Sequence, residues 1–143
     1  MDVDTPMAIL ESYKAAVYDQ SVNAFLQLYT QDARVYDTWG VWSYEGTASR
    51  RQAIEGWFAS LGEERVRVSF DEVNVVVAQE LAVLSATGRY AAHSTDGLEI
   101  RSMQNRLTWA LQRKDDRWLI VHEHTSTPIG FSDLKGILRR DDA

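Results

Sequence analysis

Two alternating stretches flank the polar turn Lys114-Asp115-Asp116, and they limit the fold more than any other part of the chain. In the first, Leu107, Trp109 and Leu111 share one side, while Arg106, Thr108 and Gln112 share the other. In the second, Leu119, Val121, Glu123 and Thr125 oppose Trp118, Ile120, His122, His124 and Ser126. Side chains on a strand point to opposite faces in turn, so this period predicts a hairpin with two unlike sides. It also separates a close-set trio, sending Glu123 to one face and His122 and His124 to the other.

The pattern extends upstream. Residues 65–78, 81–94, 98–112 and 117–126 read as four long antiparallel strands in a meander, with turns near Gln79-Glu80 and at residues 94–97. The N-terminal half is helical instead. Thr5 and Pro6 suit the cap and first position of a helix whose buried stripe is Ile9, Leu10, Tyr13, Ala16 and Val17. Ser21 caps a short second helix, and residues 33–37 read as a strand. An aromatic loop follows at residues 38–47, then a third helix over residues 49–61 carrying Ile54, Trp57, Phe58 and Leu61, stopped by Gly62. Residues 131–139 are expected to form a short closing helix. Helices first and a curved antiparallel sheet after is an α+β layout with helices on one face. Such a sheet leaves a pocket between itself and the helices, and its partly apolar outer face predicts a homodimer interface.

A chain of 143 residues fits one domain, here with a core over about residues 5–128 and an extension over residues 129–143. The formal charge of −6 argues against a nucleic-acid partner, which needs a basic face. The absence of cysteine excludes disulfides, thiol catalysis and cysteine-bound zinc. No signal peptide opens the sequence and no apolar run approaches the roughly 20 residues that span a bilayer, so no membrane is expected and the cytoplasm is the predicted location.

The order of elements, with the ending Trp118-Leu119-Ile120-Val121-His122-Glu123-His124, resembles the nuclear transport factor 2-like superfamily, especially its SnoaL-like and ketosteroid-isomerase-like branches. The resemblance implies a cone-shaped α+β half-barrel, usually homodimeric, with an apolar pocket. Its members include cofactor-free isomerases, cyclases and dehydratases as well as pure binding or assembly modules. Similarity of the last strand to the association domain of calcium/calmodulin-dependent kinases implies that Val121, Glu123 and Thr125 face the pocket with Leu107, Trp109 and Leu111.

Ketosteroid isomerase combines an aspartate base with an oxyanion hole made of a tyrosine and a protonated aspartate, a system that also serves as a reference case for carboxyl tuning. The resemblance maps its tyrosine onto Tyr13 and its base onto Asp37, with matching spacing. The second aspartate has no counterpart, because Leu107 and Thr108 stand there, and Asn105 is the nearest polar substitute. The acid of the SnoaL cyclases is also missing, since Thr125 and Ser126 stand in its place. Asp37 is thus a candidate base or a turn residue, and Tyr13 a candidate donor or a core aromatic. Glu123, a carboxyl on an apolar face, is a candidate acid or base, or a salt-bridge partner of an arginine such as Arg89 or Arg101. Trp39, Tyr44, Trp57, Asn105, Trp109 and Glu123 are the expected ligand contacts, with Trp42 in the same loop, around a small apolar metabolite. A metal site at His122 and His124 would need His93 beside them, so interface histidines are the preferred reading and no metal is expected. No phosphate loop, Rossmann motif or nucleophile elbow occurs, and no cofactor is expected. The sequence leaves two functions open: proton transfer next to a carbonyl with Asp37 as base, or a non-catalytic binding or assembly module.

Overall fold

The computed structural model describes residues 5–140. Thr5 and Pro6 form a turn ahead of the first helix, not its cap and first residue. Helix α1 spans Ala8–Tyr18, and carbonyls of Thr5, Pro6 and Met7 accept the N–H groups of Ala8, Ile9 and Leu10. Backbone acceptors thus do the work expected of the Thr5 hydroxyl. Helix α2, Val22–Leu26, is capped as expected, Ser21 Oγ accepting from Ala24 N at 3.2 Å. Strand β1, Tyr29–Tyr36, starts earlier than expected and stops just short of Asp37. The aromatic loop contains a two-residue strand, β2 (Tyr44–Glu45), before helix α3 (Thr47–Leu61). Gly62 ends α3 with φ 58°, a conformation that favours glycine.

Strands β3 (Arg65–Ala78), β4 (Leu81–His93), β5 (Glu99–Lys114) and β6 (Arg117–Ser126) form the expected meander. The sheet order is β2-β1-β6-β5-β4-β3, with β1 parallel to β6. This open, curled sheet wraps the helices, so the fold is α+β. Val17, Phe25, Leu84, Leu107, Trp109, Leu111 and Ile120 are its most deeply buried apolar side chains. Among the described residues no helix is long and apolar enough to cross a membrane.

The structure departs from the expected β6 faces. Ala110 pairs with His122 but Leu111 pairs with Ile120, so Val121 is an extra residue in the strand. Such a bulge reverses the alternation from that point. Trp118 and Ile120 therefore join Glu123 and Thr125 inside, and Val121 is only half-buried. The expected pocket set of Val121, Glu123 and Thr125 is corrected accordingly.

The closing helix over residues 131–139 is absent. This segment forms a looped strap, with a bridge between Ile129 and Gly136 and a positive φ at Leu134. Strand β6 ends at Ser126, opposite Arg106, so β5 keeps unpaired backbone beyond that point. The strap fills it, with Gln104 N donating to Leu138 O at 2.7 Å.

Candidate functional site

A cavity of about 600 Å³ lies between the helices and the concave sheet face. Tyr13 reaches it from α1, Arg50, Ile54 and Trp57 from α3, Tyr90 from β4, and Asn105 and Glu123 from the last hairpin. Asp37, Trp39 and Tyr44 border it from the segment after β1. Seven of the eight side chains singled out from sequence are therefore brought together. Trp109 is the exception, being fully buried behind the wall. Trp42 is also outside it, at 95% exposure.

Trp109 acts on the site through Glu123. Its indole N–H donates to Glu123 Oε1 at 2.9 Å, the Tyr29 hydroxyl donates to the same oxygen at 2.5 Å, and Arg50 Nη2 donates to Oε2 at 3.0 Å. Three donors, one of them a cation, hold this carboxylate in place, and both of its oxygens are engaged. Its partner is Arg50, not Arg89 or Arg101, which pair with Glu99 and Glu64 near the surface. The sequence contained a signal for Arg50. It precedes Ile54, Phe58 and Leu61 at helical spacing, so it lies on the buried stripe of α3.

Asp37 has the opposite arrangement. Thr38 N and Thr125 Oγ1 donate to its Oδ1 at 2.9 and 3.0 Å. Among the described residues nothing bonds to Oδ2, and the side chain borders the cavity. Burial pushes this carboxyl above the ordinary aspartate value, and Arg50 pulls against that rise. Thr125 is fixed in turn, because its hydroxyl also accepts from Thr38 N and Oγ1.

Tyr13 and Tyr90 join their hydroxyls at 3.0 Å. Burial pushes both phenols up, so both carry their protons at neutral pH. One bond between two hydroxyls uses one proton, leaving one O–H of the pair to spare. Asn105 stands on the same part of the cavity wall. Gly88 makes room for this group: a Cβ there would stand 3.0 Å from Asn105 Oδ1 and 3.2 Å from Tyr90 Cε1. Tyr90 was missed in the sequence because it lies on a strand of mixed pattern, with nothing local to link it to Tyr13.

The histidines lie elsewhere. His122 and His124 flank the Tyr36 ring at 5.0 and 5.5 Å, with His122 Nδ1 2.8 Å from Arg34 O. His93 Nδ1 lies 3.1 Å from Ala91 O at the end of β4. Among the described residues no group of three or more histidine, aspartate or glutamate side chains is placed to hold a metal ion.

Residues 7–130 match the model of the SnoaL-like domain, and the chain belongs to that family. Solved structures agree on the fold. An NTF2-like protein of unknown function from Pseudomonas putida superposes with a TM-score of 0.82 at 19% identity, covering 94% of this chain and 92% of that one. Aln2 from a Streptomyces species gives 0.76 at 12% identity, over 84% and 86% of the two chains. An uncharacterised protein with a cystatin-like fold from Caulobacter vibrioides gives 0.66 at 17%, over 87% and 88%. No curated protein matches the sequence.

Proposed function

We propose that this protein binds a small, largely apolar carbonyl compound in the cavity and moves a proton at the carbon next to the carbonyl. The observation that carries the reading is the placement of Asp37. Its carboxyl is anchored through one oxygen and open at the other, on the cavity that also holds the Tyr13–Tyr90 pair. Asp37 Oδ2 takes the proton as the C–H bond breaks. The released electron pair forms a carbon–carbon double bond, and negative charge moves to the carbonyl oxygen. The spare O–H of the tyrosine pair donates to that oxygen, as hydrogen-bond donors do when they stabilise developing charge. Returning the proton to the same carbon or to a conjugated one gives exchange or isomerisation. A carboxyl raised by burial is a better base near neutral pH than an ordinary aspartate. Ala53, Ile54, Trp57 and Val66 offer the ligand an apolar wall. The step needs no cofactor.

The test is exchange of the α-protons of 2-tetralone in D2O, followed by NMR. Wild type is expected to accelerate it and Asp37→Asn to lose about 100-fold or more of that effect, the usual size of a general-base contribution. Equal rates in the two proteins would remove the catalytic reading and leave a binding module. Self-association belongs to the same proposal. Val76, Val77, Leu81 and Val83 are exposed at the β3–β4 end of the sheet, which supports a homodimer through the outer face. Light scattering at micromolar concentration tests it, and a monomer mass would refute it.

A further inference from the structure

The cavity wall carries a deeply buried cation that the proposed proton transfer leaves unused. Arg50 is 5% exposed on the inner side of α3. Its guanidinium carbon lies 5.2 and 5.1 Å from the ring centres of Phe25 and Tyr29, and Nη2 donates to Glu123. Nε and Nη1 are buried and have no acceptor among the described residues. A guanidinium carries five N–H donors in a fixed fork, and those two atoms hold three of them. Glu123 meets Arg50 through Oε2 only, while its Oε1 is occupied by Tyr29 and Trp109. The aromatic rings beside the guanidinium lie against its face, and the Tyr29 hydroxyl donates its own proton to Glu123. Arg50 nevertheless borders the cavity, close enough to Asp37 to pull that carboxyl downward. Buried donors without acceptors are uncommon in folded proteins, and on a cavity wall a ligand is the group that can satisfy them.

We infer that Arg50 anchors an anionic oxygen, so the ligand is an apolar carbon frame carrying a carboxylate or a similarly acidic oxygen group. The inference rests on the ligand-binding reading above and names the chemical class of that ligand. A carboxylate offers several lone pairs in the plane that a guanidinium fork requires, and its bonds are charge-assisted. The other cation on the cavity, Arg101, is a poorer anchor. It is already bonded to Glu64 at 2.6 Å, and its side chain is 55% exposed, where water competes.

Calorimetric titration of the intact protein at neutral pH with 2-naphthoate and 2-naphthalenemethanol tests this, because the two probes share one apolar frame. Wild type is expected to bind the naphthoate at least about tenfold more tightly, the scale of one hydrogen bond to a charged group. Arg50→Met combined with Glu123→Gln removes both charges of the buried pair together, and it is expected to bind the two probes equally. Arg101→Gln is expected to keep the wild-type preference. Where circular dichroism shows the double variant unfolded, Arg50→Lys takes its place: it keeps the charge, loses the fork, and is expected to lose most of the preference. Equal binding of both probes by wild type overturns Arg50 as the anchor and leaves the binding reading standing. So does a preference that survives in the double variant or in Arg50→Lys, or that vanishes in Arg101→Gln. Failure of wild type to bind either probe overturns both readings.

Discussion

Breaking the Arg50–Glu123 pair should destabilise the protein far more than breaking any of its surface pairs. The two side chains are 6% and 1% exposed, against 38% and 41% for Arg89–Glu99. Arg50→Met leaves a carboxylate that Tyr29 and Trp109 still hydrogen-bond, with its counter-charge gone. Glu123→Gln keeps an acceptor for both donors but strands the guanidinium. Losing one partner of a buried pair costs about 3–5 kcal/mol, so each single variant should lose that much. Removing both charges leaves a neutral site, and the double variant should lose much less than the two single losses added together. With a total stability of about 5–15 kcal/mol, either single change takes a large share. Urea unfolding followed by tryptophan fluorescence gives the numbers from midpoint and slope. Single losses under about 1 kcal/mol, typical of exposed pairs, would refute the burial argument. A double variant whose loss equals the sum would refute the coupling.

Three further outcomes follow from the geometry. Burial raises the Asp37 carboxyl, so the native state holds that proton more tightly than the unfolded chain. The stability linked to it is complete below the unfolded value and is lost as pH rises through the folded one. Asp37→Asn should therefore melt no lower than wild type at neutral pH and lose its relative advantage below about pH 4, as paired melting curves would show. Gly88→Ala would put a methyl group 3.0 Å from Asn105 Oδ1, and should cost about 1–3 kcal/mol in urea unfolding through overpacking. Ile120→Asp should unfold the protein or cost upwards of about 4 kcal/mol, whereas Val121→Asp, at the half-buried bulge position, should cost about 1–2 kcal/mol. The reverse order in thermal melts would refute the bulge.

Much of the fold was legible because its signals are local. Alternation marked β3 to β6, and the spacing of Ile9, Tyr13 and Val17 marked the inner side of α1. The faces of β6 were misread because one inserted residue, Val121, reverses an alternation that looks continuous in the sequence. The parallel pairing of β1 with β6 depends on a partner distant in the chain, which no local period records. The site divides in the same way. Tyr13 and Asp37 were reached through a family resemblance and do border one cavity. Glu123 was correctly placed on the inner face, but its partner was taken from the strands, where arginines alternate visibly with apolar residues. The arginine that meets it comes from α3, across the fold. Tyr90 and Tyr29 escaped notice for the same reason, since their hydroxyls are matched only by tertiary contact.

The most direct test of the proposed chemistry is a crystal structure of the protein soaked with 2-tetralone. The expected result is a ligand in the cavity with its carbonyl oxygen within about 3 Å of a Tyr13 or Tyr90 hydroxyl, and an adjacent carbon facing Asp37 Oδ2. A ligand bound with its carbonyl turned toward the Trp39 rim, or with Asp37 out of reach of any carbon next to the carbonyl, would contradict it.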